Sequence, residues 1–354
     1  MKLKFNFRAL QIWALTLFIS TFVLTSCSDD DPAPAPAVIP EQKIAVIDAG
    51  SSGSRLYIYE VKDNGKTITL LFPTTSAESK AAKGPALSSV ENTEEAVTKF
   101  LNTMTSKHAV SDEQIPLYIL ATAGMRIQPE AQTKAVYAKM NAHKENINGY
   151  KLVAAMTISG RYEGLYEWIS TNYQNKTLTS TTHTGIMEIG GASMQVTFSI
   201  PTATVPSQYS KSVISHPTYG DIYSHSCLGG VDVVYGSLED KTQAPSTYNV
   251  DVEDVSPIIG NTQFYAFGTP MKVYLQGIAD NGGYEGYLNY WKQQESDPYH
   301  SYMNAFYIKW VLEKNGLANC LSLPSVDVSW TEGAAIDIVS NQRTPEQYDY
   351  KTQY

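Results

Sequence analysis

The chain has 354 residues, 26 of them Lys or Arg and 35 Asp or Glu, so its formal charge is -9, and 43% of it is hydrophobic. That length suits two medium-sized domains or one large domain with a cleft. A negative chain without a basic stripe argues against a nucleic-acid partner, since it has nothing with which to displace phosphate counterions. A small anion held by backbone amides and a metal stays compatible.

Lys2, Lys4 and Arg8 precede an apolar run from Leu10 to Leu24, the layout of a secretory signal peptide. The run ends Leu24-Thr25-Ser26-Cys27, which resembles the lipobox of bacterial lipoproteins, whose cysteine becomes the lipidated first residue. The placement of Cys27 argues against the alternatives of a simply secreted chain and an uncleaved anchor helix. Residues 1–27 are therefore expected to be a leader and 28–41 a tether, semi-rigid where Pro32 to Pro40 alternate with apolar residues. Several acyl chains on Cys27 would hold the protein at a bacterial membrane, most naturally the outer one. The acidic Ser28-Asp29-Asp30-Asp31 looks like the export tag of some surface lipoproteins.

The mature chain opens on the apolar strand Ile44-Ala45-Val46-Ile47, then Asp48, the turn Ala49-Gly50-Ser51-Ser52-Gly53-Ser54-Arg55, and an alternating strand from Leu56 to Val61. Next comes a helix, with Asn92 and Glu95 as a capping-box-like start and Val97, Phe100, Leu101 and Met104 as its apolar face. The strand Leu117-Tyr118-Ile119-Leu120 leads into the small-residue turn Ala121-Thr122-Ala123-Gly124-Met125-Arg126, and Pro129 opens a second helix at a first-turn position. A third helix follows Ser159-Gly160, placing Glu163 just inside its N-terminus and Leu165, Trp168 and Ile169 on its apolar face. The opening pattern then returns as Gly185-Ile186-Met187-Glu188-Ile189-Gly190-Gly191-Ala192-Ser193 with the strand Met194 to Phe198. Two like hairpins imply two like α/β halves. Glycine turns let backbone N–H groups approach an anion, and an acidic residue at each strand end suits a divalent cation. Cys227 and Cys320 are compatible with one disulfide or with two separate thiols, and neither has metal or redox spacing.

These segments resemble the apyrase, or ecto-nucleoside triphosphate diphosphohydrolase, family, in the family's order and over nearly all of the mature chain. Residues Asp48 to Arg55 look like its first phosphate loop, Ala121 to Arg126 its second motif, Ile158 to Trp168 its third and Glu188 to Gln195 its fourth. The resemblance implies an actin-like fold of two RNase-H-like α/β domains around a nucleotide cleft, one built of 42–158 with 333–354, the other of 159–332. It implies hydrolysis of terminal phosphates of nucleoside tri- and diphosphates, with Glu163 as catalytic base and Ser193 and Gln195 orienting the attacking water. Phosphate contacts fall to Ser51, Ser52, Gly53, Arg55, Thr122, Ala123, Gly190, Gly191 and Ala192. Asp48 and Glu188 would hold Mg²⁺ or Ca²⁺, largely through water. Tyr265, Phe267 and Tyr274 are candidates for the nucleobase, while Trp330 reads as packing. Arg55 and Arg126 are equally suited to phosphate and to bracing carboxylates. Three features depart from the family: Glu188 stands where aspartate is usual, Tyr223 to Gly230 follow the family's next segment only in part, and the usual aromatics after Phe267 are missing. The nearest rival, an exopolyphosphatase or guanosine pentaphosphate phosphatase, has an acidic run where this chain has Arg161-Tyr162-Glu163-Gly164. A nucleotide-dependent switch or non-hydrolytic binder is the alternative from another class.

Overall fold

The computed structural model describes residues 42–350 except 111–112, 144–145, 202–204, 237–244, 295–299 and 326–327. The expected leader, Cys27 and the tether lie outside the described residues.

A continuous apolar run builds β1 (Gln42–Gly50) and a largely alternating one β2 (Gly53–Lys62), an antiparallel hairpin in which Asp48 faces Arg55 and Gly50 faces Gly53. Strands β3 (Thr67–Phe72) and the short β4 (Lys83–Gly84) pair with β2. On the other side, β5 (Ile115–Ala121) and β6 (Tyr150–Thr157) run parallel to β1 and to each other. Four helices belong to this stretch: α1 (Ser76–Ala81), α2 (Glu94–Thr105), α3 (Ala123–Arg126) and α4 (Glu130–Ala142). The expected apolar face of α2 is buried, but the helix starts one residue later than Asn92 suggests. Thr93 is extended and its side chain accepts from the Ala96 N–H at 3.2 Å, so it is the cap. Pro129 likewise precedes α4 as its cap, not as its first helical residue.

After α5 (Gly160–Gln174) the plan repeats. Strands β7 (Gly185–Ile189) and β8 (Met194–Ser199) form the second hairpin, with Glu188 opposite Gln195. β9 (Val213–His216) and β10 (Gly220–Cys227) extend the antiparallel side, while β11 (Phe264–Phe267) and β12 (Leu321–Ser322) run parallel to β7 and to each other. The orders are β3-β2-β1-β5-β6 and β9-β10-β8-β7-β11-β12, so the two halves share one topology apart from the short β4 on β2 in the first and the extra edge strand β9 in the second. The helices here are α6 (Val231–Gly236), α7 (Thr269–Asp280), α8 (Tyr284–Lys292), α9 (Ser301–Asn315) and α10 (Trp330–Asn341).

The last helix of each half crosses over. α5, which follows β6, packs on β7, β8 and β10; α10, which follows β12, packs on β1, β2 and β3, and the two helices lie against each other. A central apolar cluster forms there, joining Val46 and Tyr59 to Leu165, Trp168, Ile186, Ala334 and Val339. Separate clusters cover the outer faces, one with Val97, Phe100 and Val136, the other with Tyr223, Phe264 and Val311. A break after residue 332 falls inside the continuous α10. Cys227 and Cys320 are both free. They sit at β10 and just before β12, four strand spacings apart, or about 19 Å, far beyond the span of a disulfide.

Candidate active site

Both hairpin turns open into one cleft of about 320 Å³, at the C-terminal ends of β5 and β11. The turns are alike: a Cβ built on Gly50 would lie 3.3 Å from the Gly53 carbonyl and 3.7 Å from Asp48 Oδ1, and one on Gly190 3.5 Å from the Ser193 carbonyl and 3.9 Å from Glu188 Oε1. Gly124 brings α3 against the first turn, where a side chain would meet Ser51 Cα at 2.6 Å. The cleft gathers Asp48, Ser51, Ser52, Thr122, Glu163, Glu188, Gly190, Gly191 and Phe267. Gly53, Arg55, Ala123, Ala192, Ser193 and Gln195 are adjacent in sequence or hydrogen-bonded to lining residues but are not part of the lining themselves. One correction concerns Gly190: its N–H donates to the Ser193 carbonyl at 3.0 Å and closes the turn, so it has no N–H to offer an anion. Gly191 and Ala192 are the remaining candidates in that turn.

Glu163 lies in the first turn of α5, beyond the Ser159 cap, and is 8% exposed. It does not cap the helix. Its Oε2 accepts from Arg126 Nη2 and, at 3.1 Å, from Gln195 Nε2, which also reaches Ser193 Oγ at 3.0 Å. Arg126 therefore braces a carboxylate. The other amide atom, Gln195 Oε1, is buried with no partner among the described residues, an acceptor facing no donor. Small residues permit this approach: at Gly164 a Cβ would lie 2.4 Å from Thr197 Oγ1 and 3.3 Å from Gln195 Cβ.

Four carboxylates line the cleft, because Glu167 sits one helical turn after Glu163 and joins Asp48 and Glu188. Burial and then the charge of Glu163 lift the Asp48 carboxyl from 3.8 to about 7, against the pull of Arg55. Burial, Glu163 and Asp48 lift Glu188 from 4.5 to about 8, opposed by Arg126. Glu167 is pushed well up by burial, Glu188 and Glu163, with Lys272 opposing. Repulsion of this kind calls for positive charge in the cleft, and hard oxygen donors suit Mg²⁺ or Ca²⁺. Among the described residues no three acidic, His or Cys side chains converge closely enough to ligate one ion directly. Asp48, Glu167 and Glu188 are hard oxygen donors, the class of ligand such cations take.

The aromatic expectations fare unevenly. Phe267 lines the cleft, and Trp330, read as packing, both lines it and packs on the central cluster. Tyr274 is in the outer core, its ring 6.0 Å from that of Tyr287, and Tyr265 packs on the central cluster; neither lines the cleft. Tyr57, Glu167 and Lys272 are cleft residues that the sequence reading did not single out. For Glu167 the signal was its four-residue spacing from Glu163. Lys272 also edges a larger, shallower groove of about 690 Å³ along α7 and α8, walled by Tyr287, Tyr290 and Trp291. That groove lacks the clustered carboxylates, so the chemistry belongs to the smaller cleft.

The family model for the GDA1/CD39 (nucleoside phosphatase) family matches residues 40–245. The chain is 31% identical over 291 residues to the probable apyrase 3 of Arabidopsis thaliana, covering 78% of this chain and 57% of that one. It is 30% identical over 188 residues to the human ectonucleoside triphosphate diphosphohydrolase 7, covering 45% and 31%. The chain thus spans from about a third to somewhat over half of these relatives' length. Among solved structures, the Ppx/GppA family member of Aquifex aeolicus aligns with a TM-score of 0.50 at 14% identity, over 86% of this chain and all of that one, a likeness of fold.

Proposed function

The chain belongs to the GDA1/CD39 nucleoside phosphatase family, and from that premise we propose that it hydrolyses the terminal phosphates of nucleoside tri- and diphosphates. The carrying observation is the pair of matched turns opening on one cleft that also holds Glu163. Amides of Ser51, Ser52 and Gly53 on one side, and of Gly191 and Ala192 on the other, clasp the phosphate chain, with the Thr122 hydroxyl beside them. Asp48 and Glu188 would hold Mg²⁺ or Ca²⁺, largely through water. When bound, the cation offsets phosphate charge and polarises the bond to be broken.

Among the described residues both hydrogen bonds to the Glu163 carboxylate end on Oε2, which leaves Oε1 to take a proton from water. Arg126 holds this carboxylate aimed. Ser193 Oγ and the unpartnered Gln195 Oε1 orient the water. As the water oxygen bonds to the terminal phosphorus, the bridging P–O bond breaks and the shortened nucleotide leaves. Gln195 cannot take a proton from Ser193, which disfavours a phosphoserine route. The nucleoside end passes Lys272 into the aromatic groove. From Lys272 to Asp280, α7 runs about 12 Å, room for a ribose and base.

The test is phosphate release from ATP, ADP, other nucleotides and polyphosphate with Mg²⁺, Ca²⁺ or EDTA, using protein lacking residues 1–27. We expect cation-dependent release from both ATP and ADP. Activity confined to polyphosphate would replace this reading with the exopolyphosphatase one, and slow turnover without ADP hydrolysis would point to a switch. We further propose that the protein is exported and lipid-anchored through Cys27, supported by the charged start and apolar run before it. Cys27→Ser should abolish palmitate labelling and release the protein from membranes.

A further inference from the structure

Two glutamates project from α5 into the cleft one turn apart, and they are provided for unequally. Glu163 has both a guanidinium and an amide on one oxygen. Glu167 is 6% exposed and lines the same cleft, yet its Oε2 is buried with no hydrogen-bond partner among the described residues. The charges acting on it are Glu188 and Glu163, with Lys272 on the opposing side. A carboxylate taken out of water needs its lone pairs met. The protein groups around Glu167 meet only part of that need, and an ion with its hydration shell supplies both positive charge and O–H donors.

We infer that Glu167 is a cation-site residue: with Glu188 it grips the waters of a divalent cation, which the cleft therefore binds before any nucleotide arrives. The inference rests on the proposed function only in taking the cleft as the place where the cation works. It distinguishes Glu167 from a structural glutamate, which would leave ion affinity alone, and from a base, which Glu163 already supplies.

The test is calorimetric titration of the nucleotide-free protein with Mn²⁺ alone. Glu167→Gln should weaken Mn²⁺ binding about 10- to 100-fold, while Glu113→Gln, in an exposed pair with Lys43 at the far end of β5, leaves it unchanged. Equal Mn²⁺ affinity in Glu167→Gln and wild type, or no binding by wild type, overturns the inference. If Glu167→Gln does not fold, Mn²⁺ located by anomalous scattering in wild-type crystals decides it. An ion about 4–5 Å from the Glu167 carboxylate, one water away, supports it, and an ion well beyond that overturns it. Phosphate release by wild type, assayed alongside, keeps the two readings apart. Hydrolysis with unchanged affinity in Glu167→Gln removes this inference only; Glu167-dependent Mn²⁺ binding without hydrolysis removes only the proposed activity.

Discussion

Glu163 and Arg126 are both buried, so replacing one leaves the other exposed to the full cost of an unpaired charge. Glu163→Gln is expected to lower kcat by about 10²–10⁴ while nucleotide affinity changes little. Adding Arg126→Gln should recover melting temperature without recovering rate. Binding lost in proportion to rate would make Glu163 structural. Asp48 and Glu188 give a second expectation. Folding raises both carboxyls, to about 7 and about 8. The folded chain therefore binds more protons than the unfolded one from about pH 4 to about pH 8, and the stability these groups contribute falls as pH rises through that window. In EDTA the melting temperature should drop from pH 5 to pH 8, less steeply in Asp48→Asn and with Mg²⁺ added. A melting temperature that climbs across that range would contradict the assignment.

At the scale of elements, the hairpins were legible because an acidic residue ends an apolar strand and a glycine follows it two positions later in both, within a turn of glycine, serine and alanine. Helix α5 was less so. Its expected apolar face is real, but the helix is buried nearly all round, Glu167 and Asn172 included. A helix enclosed on every side loses the periodic contrast that separates inside from outside. Tyr274 was misplaced for a related reason: the same turn of α7 carries Lys272 toward the cleft and Tyr274 toward the core, and which aromatic faces a ligand depends on packing from α8 and α9 that residue type does not encode. The Gly190 amide was misread because a glycine turn looks the same in sequence whether or not its N–H is already used. Packing around α5 predicts a contrast. Gly164→Ala, whose methyl would press on Thr197 and Gln195, should cost about 1–3 kcal/mol and also lower kcat. Thr93→Ala, removing the α2 cap, should cost about 1 kcal/mol with kcat unchanged. Parallel denaturant titrations and steady-state rates check both.

For the whole molecule, the C-terminal stretch beyond α10 returns to the strand and helix that carry Glu163. The Glu346 carbonyl accepts from the Ser159 N–H at 3.0 Å, the Tyr348 N–H donates to Thr157 at 2.8 Å, and Tyr350 OH donates to the Met125 carbonyl at 2.9 Å. Arg161 meets the Glu346 carboxylate at 2.8 and 2.9 Å, but that pair is part-exposed and worth little by itself. Glu346→Gln should therefore be nearly silent in thermal melts, whereas ending the chain at Arg343 should lower kcat by loosening the base and its brace. Equal effects of the two changes would show that the ion pair, not the backbone, holds the segment.

Repetition alone would make the cleft ambidextrous, since a linear polyphosphate could be threaded from either side. The residue facing the acidic position breaks the tie: it is Arg55 in the first hairpin and Gln195 in the second. A permanent cation stands at that position in the first hairpin and a neutral amide in the second; the amide bonds Glu163, which Arg126 of the first half also pairs. The two turns are therefore chemically unlike at matching positions, so the repeated plan has a head and a tail.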